Sequence, residues 1–216
     1  MVPPLRARRL LVVAPHSDDE VIAAWGLMRR LLRRRARVEV LVVTDGGASH
    51  PESRAWPRAR LVTERRRETC RAMRSLGVPR GRVQFLGLPD GALALHPGKL
   101  ATALGKALHR RAPPDLIVAP MPDDAHADHR AVAVALAAVP RRGERRLGYR
   151  VWPEGAGRSL HGLVVPLGAT ISAKRRAVRS YRTQTGHITD AVAGFAMTHR
   201  HLRAFAGPTE RFAILP

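Results

Sequence analysis

Short apolar runs alternate with longer amphipathic segments along the first 140 residues of the chain. The short runs are rich in Val, Leu and Ile and predict buried strands, and the longer segments carry apolar residues at helical spacing. The predicted strands are residues 10–14, 38–43, 83–86 and 116–119, and the predicted helices are residues 19–35, 60–76, 99–111 and 130–138. This alternation is typical of an α/β fold, in which a mostly parallel sheet carries helices on both faces.

Beyond Pro140 the pattern is weaker. We expect strands over residues 147–151, 163–167 and 212–215, a helix over residues 172–182 and a helical segment over residues 187–206. The chain contains no internal repeat, low-complexity tract or clear linker. Its 216 residues are enough to enclose one sizeable core, so we expect a single domain over residues 1–216.

Histidines and carboxylates follow two of the predicted strands. The segment APHSDDE (14–20) comes after the first strand, and the segment MPDDAHADH (121–129) comes after the fourth. Ligands of open α/β sheets bind at the carboxyl ends of the strands, and parallel strands would bring both segments to the same edge. Carboxylates crowded at the end of a buried strand repel one another and are costly to desolvate, and a bound cation relieves both costs.

The spacing within these segments fits a metal site. His16 and Asp19 are three residues apart, so one turn can direct both toward one point. A catalytic zinc site has three protein ligands and one open position, and His16, Asp19 and either His126 or His129 would supply the three. Helix capping is the alternative explanation, because Asp is favoured at helix N-termini. Capping accounts for one acid taken singly but not for two separate clusters of His and Asp, so we favour the metal site.

The formal net charge is +21 and the sequence pI is about 11.8. Such a charge suits nucleic acid, an anionic membrane or an acidic substrate. Many of the arginines, however, interleave with apolar residues at helical spacing, as on solvated helix faces, so compositional bias is the simpler explanation. The aromatic content of 4% also argues against a stacking surface for single-stranded nucleic acid.

Several classes of protein are disfavoured. No apolar run is long enough to span a membrane, and residues 10–14 are too few for a signal-peptide core. Cys70 is the only cysteine, so an intrachain disulfide is impossible and we expect a cytoplasmic protein. The Gly-x-Gly-x-x-Gly fingerprint is absent after the first strand, where acids occupy the turn, so no dinucleotide is expected. A homo-oligomer is compatible with the sequence, which leaves the oligomeric state open.

The two motifs resemble those of the PIG-L/LmbE-type N-acetylglucosaminyl deacetylase family. Residues 15–20, PHSDDE, are similar to the family motif Pro-His-Pro-Asp-Asp-Glu, with Ser17 where the family usually has proline. Residues 126–129, HADH, resemble its His-x-Asp-His motif. Further similarity covers nearly the whole chain, at residues 44–46, 65–68, 76–78, 88–91, 174, 181 and 184. The resemblance implies a Rossmann-like fold without a dinucleotide.

The resemblance also implies a metal-dependent hydrolase that removes acetyl from an N-acetylated amino sugar. His16, Asp19 and His129 would then bind the metal, which is zinc or alternatively iron(II). Such a metal polarises the amide carbonyl and lowers the pKa of a bound water. Asp18 cannot easily share the metal with its neighbour Asp19, because adjacent side chains diverge, and is better placed as the general base.

The remaining roles concern the second motif and the substrate. His126 would stabilise the oxyanion, and Asp128 would orient His126 or hold it protonated. Arg65 and Asp90 match family positions that contact the sugar. We further expect supporting or pocket-lining roles for residues close to the site or late in the chain: Glu20, Asp45, Tyr181 and Gln184.

Two alternatives remain open at this stage. An amidase with the same site could cleave a larger N-acyl group or a thiol–sugar conjugate, because pocket loops set the acyl size. A protein of another class, a catalytically inactive basic scaffold, could bind nucleic acid or another polyanion. The intact acids Asp18, Asp19 and Asp128 argue against the scaffold, since they would repel phosphate.

Overall fold

The computed structural model of the protein describes residues 6–109 and 112–215. Within these residues one seven-stranded sheet has the order β3-β2-β1-β4-β5-β7-β6. The strands are β1 (Arg9–Ala14), β2 (Arg37–Thr44), β3 (Val83–Leu88), β4 (Leu116–Pro120), β5 (Arg145–Tyr149), β6 (Gly162–Pro166) and β7 (Thr209–Ile214). Strands β1 to β5 pair in parallel, and β7 pairs antiparallel with β5 and β6. The mostly parallel sheet that the sequence predicts is thereby confirmed.

Helices cover both faces of this sheet. They are α1 (Asp19–Leu32), α2 (Arg58–Leu76), α3 (Pro97–Leu108), α4 (Ala127–Ala137), α5 (Ile171–Arg179) and α6 (His199–Phe205). Successive side chains of a strand point to opposite faces. Accordingly Leu10 and Val12 of β1 pack in one apolar cluster with residues of α1, α2 and α5, and Leu11 and Val13 pack in a second cluster with α3 and α4. The predicted α/β class is confirmed.

The helix ends differ from the predictions by a few residues. α1 ends at Leu32 rather than Arg35, because Arg35 has a φ of 61° and the chain turns back toward β2. α2 ends at Leu76, as predicted, and is followed by Gly77, whose φ of 100° suits a residue without a side chain. The predicted last turn of α3 includes Arg110 and Arg111, which lie outside the described residues.

The helix predicted over residues 187–206 is wrong in its first half. Residues 187–198 are irregular, and only α6 is helical. Two backbone amides of this segment bond to distant loops instead of to the carbonyl four residues back. Phe195 N–H donates to the Ser49 carbonyl (2.8 Å), and Met197 N–H donates to the Gln184 carbonyl (2.7 Å). These long-range bonds override the local helix propensity of the segment.

Strand order brings the two polar segments together. β1 and β4 are parallel neighbours, with Leu10 opposite Leu116 and Val12 opposite Val118. The chain returns to β2 on one side of β1 and reaches β4 on the other, so the carboxyl ends of β1 and β4 form the switch point where such sheets bind ligands. Among the described residues, no helix is both long and apolar enough to cross a membrane.

Candidate active site

The turn between β1 and α1 directs His16 and Asp19 toward each other. The His16 backbone N–H donates to Asp19 Oδ2 at 2.9 Å, and His16 Nδ1 lies 3.2 Å from the same oxygen. Both side chains are buried. This contact between an imidazole and a carboxylate is the one that the three-residue spacing predicts.

His129 reaches the same oxygen from the first turn of α4. Its Nε2 lies 3.2 Å from Asp19 Oδ2, so that Oδ2 is shared by His129 Nε2 and His16 Nδ1. Bonds of 2.0–2.1 Å around a tetrahedral zinc separate its ligand atoms by about 3.3 Å, which is close to both distances. His129 is 0% exposed, and neither ring nitrogen makes a hydrogen bond of good geometry. His16 and His129 also belong, with His126, to a group whose ligand atoms all lie within 4.8 Å of one another, and such a cluster of nitrogen donors beside the Asp19 carboxylate fits a divalent metal.

The other ring nitrogen of His16 is held by two carboxylates. His16 Nε2 lies 3.2 Å from Asp128 Oδ2 and 3.2 Å from Asp90 Oδ1. Asp128 in turn accepts the backbone N–H groups of Gly91 (2.8 Å) and Leu93 (3.0 Å). Asp90, which the family resemblance assigns to the sugar, also accepts the N–H of Ala48 (2.9 Å) and lies at the pocket wall.

The Asp128 side chain was expected to contact and orient His126, and this expected contact is wrong. The hydrogen bond between the two runs from the Asp128 backbone N–H to His126 Nδ1 (3.2 Å), while the Asp128 carboxylate faces His16. The physical reason is that His126 precedes α4 in an extended conformation, so that its ring meets the backbone N–H of Asp128 in the first helical turn and not the carboxylate. Burial and repulsion from His16 lower the pKa of His126, so its neutral form is favoured.

No role was predicted for Asp124 from the sequence, yet its carboxylate supports the candidate ligand His129. Its Oδ2 lies 3.3 Å from His129 Nδ1 and accepts the N–H groups of Val151 (2.7 Å) and Trp152 (3.1 Å). Carboxylates on the far nitrogen of a ligating histidine fix its orientation and raise its basicity. Both candidate ligand histidines therefore have such a partner. Asp124 lies five residues before His129 in the sequence, but this spacing by itself does not predict that the two side chains are in contact.

The two neighbouring acids Asp18 and Asp19 have opposite electrostatic environments. Burial raises the pKa of Asp18 well above its usual range, although Arg65, 3.6 Å away, opposes this. For Asp19 burial acts in the same upward direction, but it is outweighed by His129 and His16, so the pKa of Asp19 lies well below its usual range. Burial lowers the pKa of His129, and the attraction of Asp19 and Asp124 outweighs it, raising that pKa to about 9.

A cavity of about 230 Å³ opens beside these groups. Asp18, His126 and Arg65 line it, together with the large apolar side chains of Ile22, Trp152, Phe195 and Met197. Arg65 is 2% exposed and its terminal nitrogens donate to the carbonyls of Gly46 (3.2 Å) and Ser17 (2.7 Å). A larger apolar cavity of about 670 Å³ lies between α3 and α4 at the opposite edge of the sheet and contains none of these groups.

The residues expected to support the site or line its pocket differ in where they lie. Gln184 lines the cavity as expected, whereas Tyr181 is fully buried and donates its hydroxyl to Glu20. The Glu20 carboxylate accepts the Asp18 backbone N–H and is not hydrogen-bonded to a candidate ligand in the described structure. The expectation for Asp45 is wrong, because its carboxylate bonds to the Arg58 side chain and the Gly47 N–H and not to a ligand.

Fold and site together define an α/β protein with a candidate divalent-metal centre at the switch point of a mostly parallel sheet. The sequence matches the family described as PIG-L: GlcNAc-PI de-N-acetylase over residues 11–139. This match covers more than half of the chain and includes both motifs, and the protein belongs to that family. A comparison with curated proteins finds no match.

Solved structures share the fold over most of the chain. The N,N'-diacetylchitobiose deacetylase from Pyrococcus horikoshii has a TM-score of 0.73 and 22% identity, over 97% of this chain and 84% of its own. The conserved protein TT1542 from Thermus thermophilus has a TM-score of 0.68 and 26% identity, over 94% and 93% of the two chains. The zinc-inhibited form of the teicoplanin deacetylase Orf2 has a TM-score of 0.66 and 19% identity, over 83% and 85%.

Proposed function

We propose that this protein is a metal-dependent N-deacetylase that removes the acetyl group from an N-acetylglucosamine-type sugar or glycoconjugate. The observation that carries the proposal is the convergence of His16 and His129 on Asp19 Oδ2 beside Asp18 at the cavity wall. Membership of the family and the deacetylase names of two similar structures support it.

The residues that would hold the metal are His16, Asp19 and His129. Their nitrogen and oxygen atoms suit zinc and also iron(II). When bound there, the metal polarises the amide carbonyl and lowers the pKa of a water molecule. Asp128 and Asp90 would hold the ring of His16, and Asp124 the ring of His129, so that each keeps its ligand nitrogen turned toward Asp19.

Asp18 would act as the general base. It lines the cavity, and its ion-pair partner, Arg65, is 3.6 Å away and is already bonded to two backbone carbonyls. A burial-raised pKa makes the carboxylate a stronger base than an exposed aspartate. Asp18 takes the proton of the attacking water and returns it to the sugar nitrogen as the C–N bond breaks.

His126 would stabilise the negative charge that develops on the carbonyl oxygen. Its Nδ1 accepts the backbone N–H of Asp128, so the neutral ring carries its proton on Nε2. His126 lines the same cavity as Asp18 and can donate that proton in a hydrogen bond to the oxyanion. Donation from a neutral ring does not require the protonated His126 that the second motif suggests.

The size and lining of the cavity favour a small reacting group. Pockets for drug-sized ligands hold about 300–1,000 Å³, whereas this cavity holds about 230 Å³. An acetyl group on one sugar ring is a better match than a long acyl chain. Ser49, Asp90 and Gln184 supply polar atoms for sugar hydroxyls, and the apolar side chains give the acetyl methyl group a surface to pack on.

We place the enzyme in the cytoplasm, because its single buried cysteine needs no oxidising compartment. Residues 1–216 are proposed to act as one domain on a small-molecule substrate, without a dinucleotide.

Acetate release from a panel of N-acetylglucosamine derivatives tests the proposal. The protein is stripped with a chelator and reloaded with zinc or iron(II), and Asp18→Asn serves as the matched variant. We expect release only from the reloaded protein, and loss of release in Asp18→Asn with one metal still bound per chain. Equal release from stripped protein would refute metal dependence. Metal binding without acetate release would favour the amidase for larger acyl groups.

A further inference from the structure

Asp18 has a backbone conformation that an aspartate rarely adopts. Its φ is 118° and its ψ is −30°, in the left-handed half of conformational space. The residue immediately precedes α1, and its carbonyl accepts the N–H groups of Val21 (3.0 Å) and Ile22 (2.9 Å). Its side chain makes no capping hydrogen bond, so helix capping does not explain the conformation.

The peptide unit between Ser17 and Asp18 is held on both sides by buried charged groups. The Ser17 carbonyl accepts a hydrogen bond from the Arg65 guanidinium at 2.7 Å, and the Asp18 N–H donates to Glu20 Oε2 at 3.1 Å. The peptide unit is planar, and φ of Asp18 is the rotation about the bond that leaves it. Because both polar atoms of this plane are held, the direction of the N–Cα bond of Asp18 is set as well.

Tyr181 completes this arrangement from the far end of the chain. Its hydroxyl donates to Glu20 Oε1, so both carboxylate oxygens of Glu20 are occupied. Glu20 and Tyr181 are both 0% exposed, so neither side chain is open to bulk solvent. The hydrogen bonds of the Glu20 carboxylate run to Asp18 and Tyr181, and not to the candidate ligands His16, Asp19 and His129.

We propose that Glu20 is a positioning residue that holds Asp18 in its left-handed conformation, with Tyr181 holding Glu20. The inference rests on the proposed function, in which Asp18 is the base. The unusual φ lets two adjacent carboxylates serve different targets, with Asp19 beside the two histidines and Asp18 at the cavity wall. The competing explanation is that Glu20 only favours the positive end of α1, which would affect stability and not the base.

The matched pair Glu20→Met and Glu20→Gln tests this role. Met has a similar shape but no acceptor, whereas Gln retains an oxygen for the Asp18 N–H. We expect Glu20→Met to lower kcat about 10- to 100-fold through misplacement of the base, with KM and metal content within about twofold of the parent protein. Glu20→Gln should recover most of kcat. Equal losses in the two variants would overturn the proposal.

A double-mutant cycle separates positioning from general structural damage. In the Asp18→Asn background the base is already absent, so Glu20→Met should leave the residual rate of that variant, measured at high enzyme concentration, unchanged. Losses that multiply would show that Glu20 acts independently of Asp18 and would overturn the inference. If Glu20→Met does not fold, Tyr181→Phe replaces it in the same cycle, because that change removes only one hydroxyl.

A crystal structure of Glu20→Met, or of Tyr181→Phe, gives a readout that does not depend on activity. We expect φ of Asp18 to return to a negative value and its carboxylate to leave the cavity wall. An unchanged φ would overturn the inference even in an active enzyme. Inactivity of the parent protein on every substrate would instead count against the proposed function, and the measurement of φ would still decide the role of Glu20.

Discussion

The ammonium group of Lys174 lies 2.7 Å from Glu210 Oε1, and both side chains are buried in the described structure. Lys174 also donates to the Ile22 carbonyl (2.7 Å), and the Glu210 carboxylate accepts the N–H groups of Gly26 (2.8 Å) and Leu27 (3.0 Å). The ion pair thus joins α5 and β7 to the middle of α1. Because the first turn of α1 carries the candidate site, this pair anchors the site to the rest of the core.

Replacing Lys174 with methionine should be strongly destabilising. The substitution leaves the Glu210 carboxylate buried without its cation, and breaking a buried pair in this way costs about 3–5 kcal/mol. Urea unfolding measures the free energy of unfolding of the variant and of the parent protein. The double variant Lys174→Met/Glu210→Gln should recover part of the loss, since no charge is then unpaired. A loss below about 1 kcal/mol in the single variant would contradict the prediction.

Gly26→Ala should also destabilise the protein. The Glu210 side chain of the ion pair packs close to α1 at Gly26, where a residue without a side chain leaves room for it. An added Cβ would lie 2.3 Å from Leu167 Cδ2 and 3.1 Å from Glu210 Oε2. Such overpacking costs about 1–3 kcal/mol, measured as a fall in the free energy of unfolding. Gly105→Ala in α3 is the matched control, since its added Cβ meets nothing within 4 Å. The control should gain up to about 1 kcal/mol, and similar effects at both sites would refute the argument.

Asp128→Asn should weaken metal binding about 10- to 100-fold, because the carboxylate that holds His16 Nε2 loses its charge. Competition with a chromophoric chelator at neutral pH measures the affinity for zinc. Asp45→Asn is the control, because Asp45 bonds to Arg58 and Gly47 and not to a candidate ligand. Unchanged affinity in Asp128→Asn would show that the carboxylate does not support a ligand.

Glu144 provides a test of stability against pH that lies away from the site. Burial acts to raise the pKa of Glu144, but hydrogen bonds from the Arg142 N–H (2.7 Å) and the Arg146 side chain outweigh it, so the pKa falls below its ordinary 4.5. A lowered folded pKa contributes stability above the unfolded pKa, and this stability is lost as the pH falls through the folded value.

Glu144→Gln should therefore be less stable than the parent protein at pH 7, and the difference should shrink below about pH 4.5. Thermal unfolding of both proteins across this range measures the effect. A difference that grows on acidification would mean that the pKa of Glu144 is raised and not lowered.

The local pattern of residues is sufficient to predict those features of this protein that interactions between residues near in sequence determine. Buried β-rich runs predict β1 to β4, and parallel strands bring residues 14–20 and 121–129 to one edge, as the structure confirms. The three-residue spacing of His16 and Asp19 predicts their contact because one turn of chain determines it. Local composition misleads at residues 187–198, where amides bond to distant loops.

Tertiary structure alone decides which partners complete the site. His16 and Asp128 are 112 residues apart, and Glu20 and Tyr181 are 161 residues apart, so neither contact has a signal in local spacing. The same holds for the peptide unit at Asp18, which Arg65 and Glu20 approach from opposite sides. The sequence by itself determined which chemical groups lie at the switch point. Only the packing of α2, α4 and α5 around it decided which group holds which, because buried polar atoms take the partners that the folded chain brings within reach.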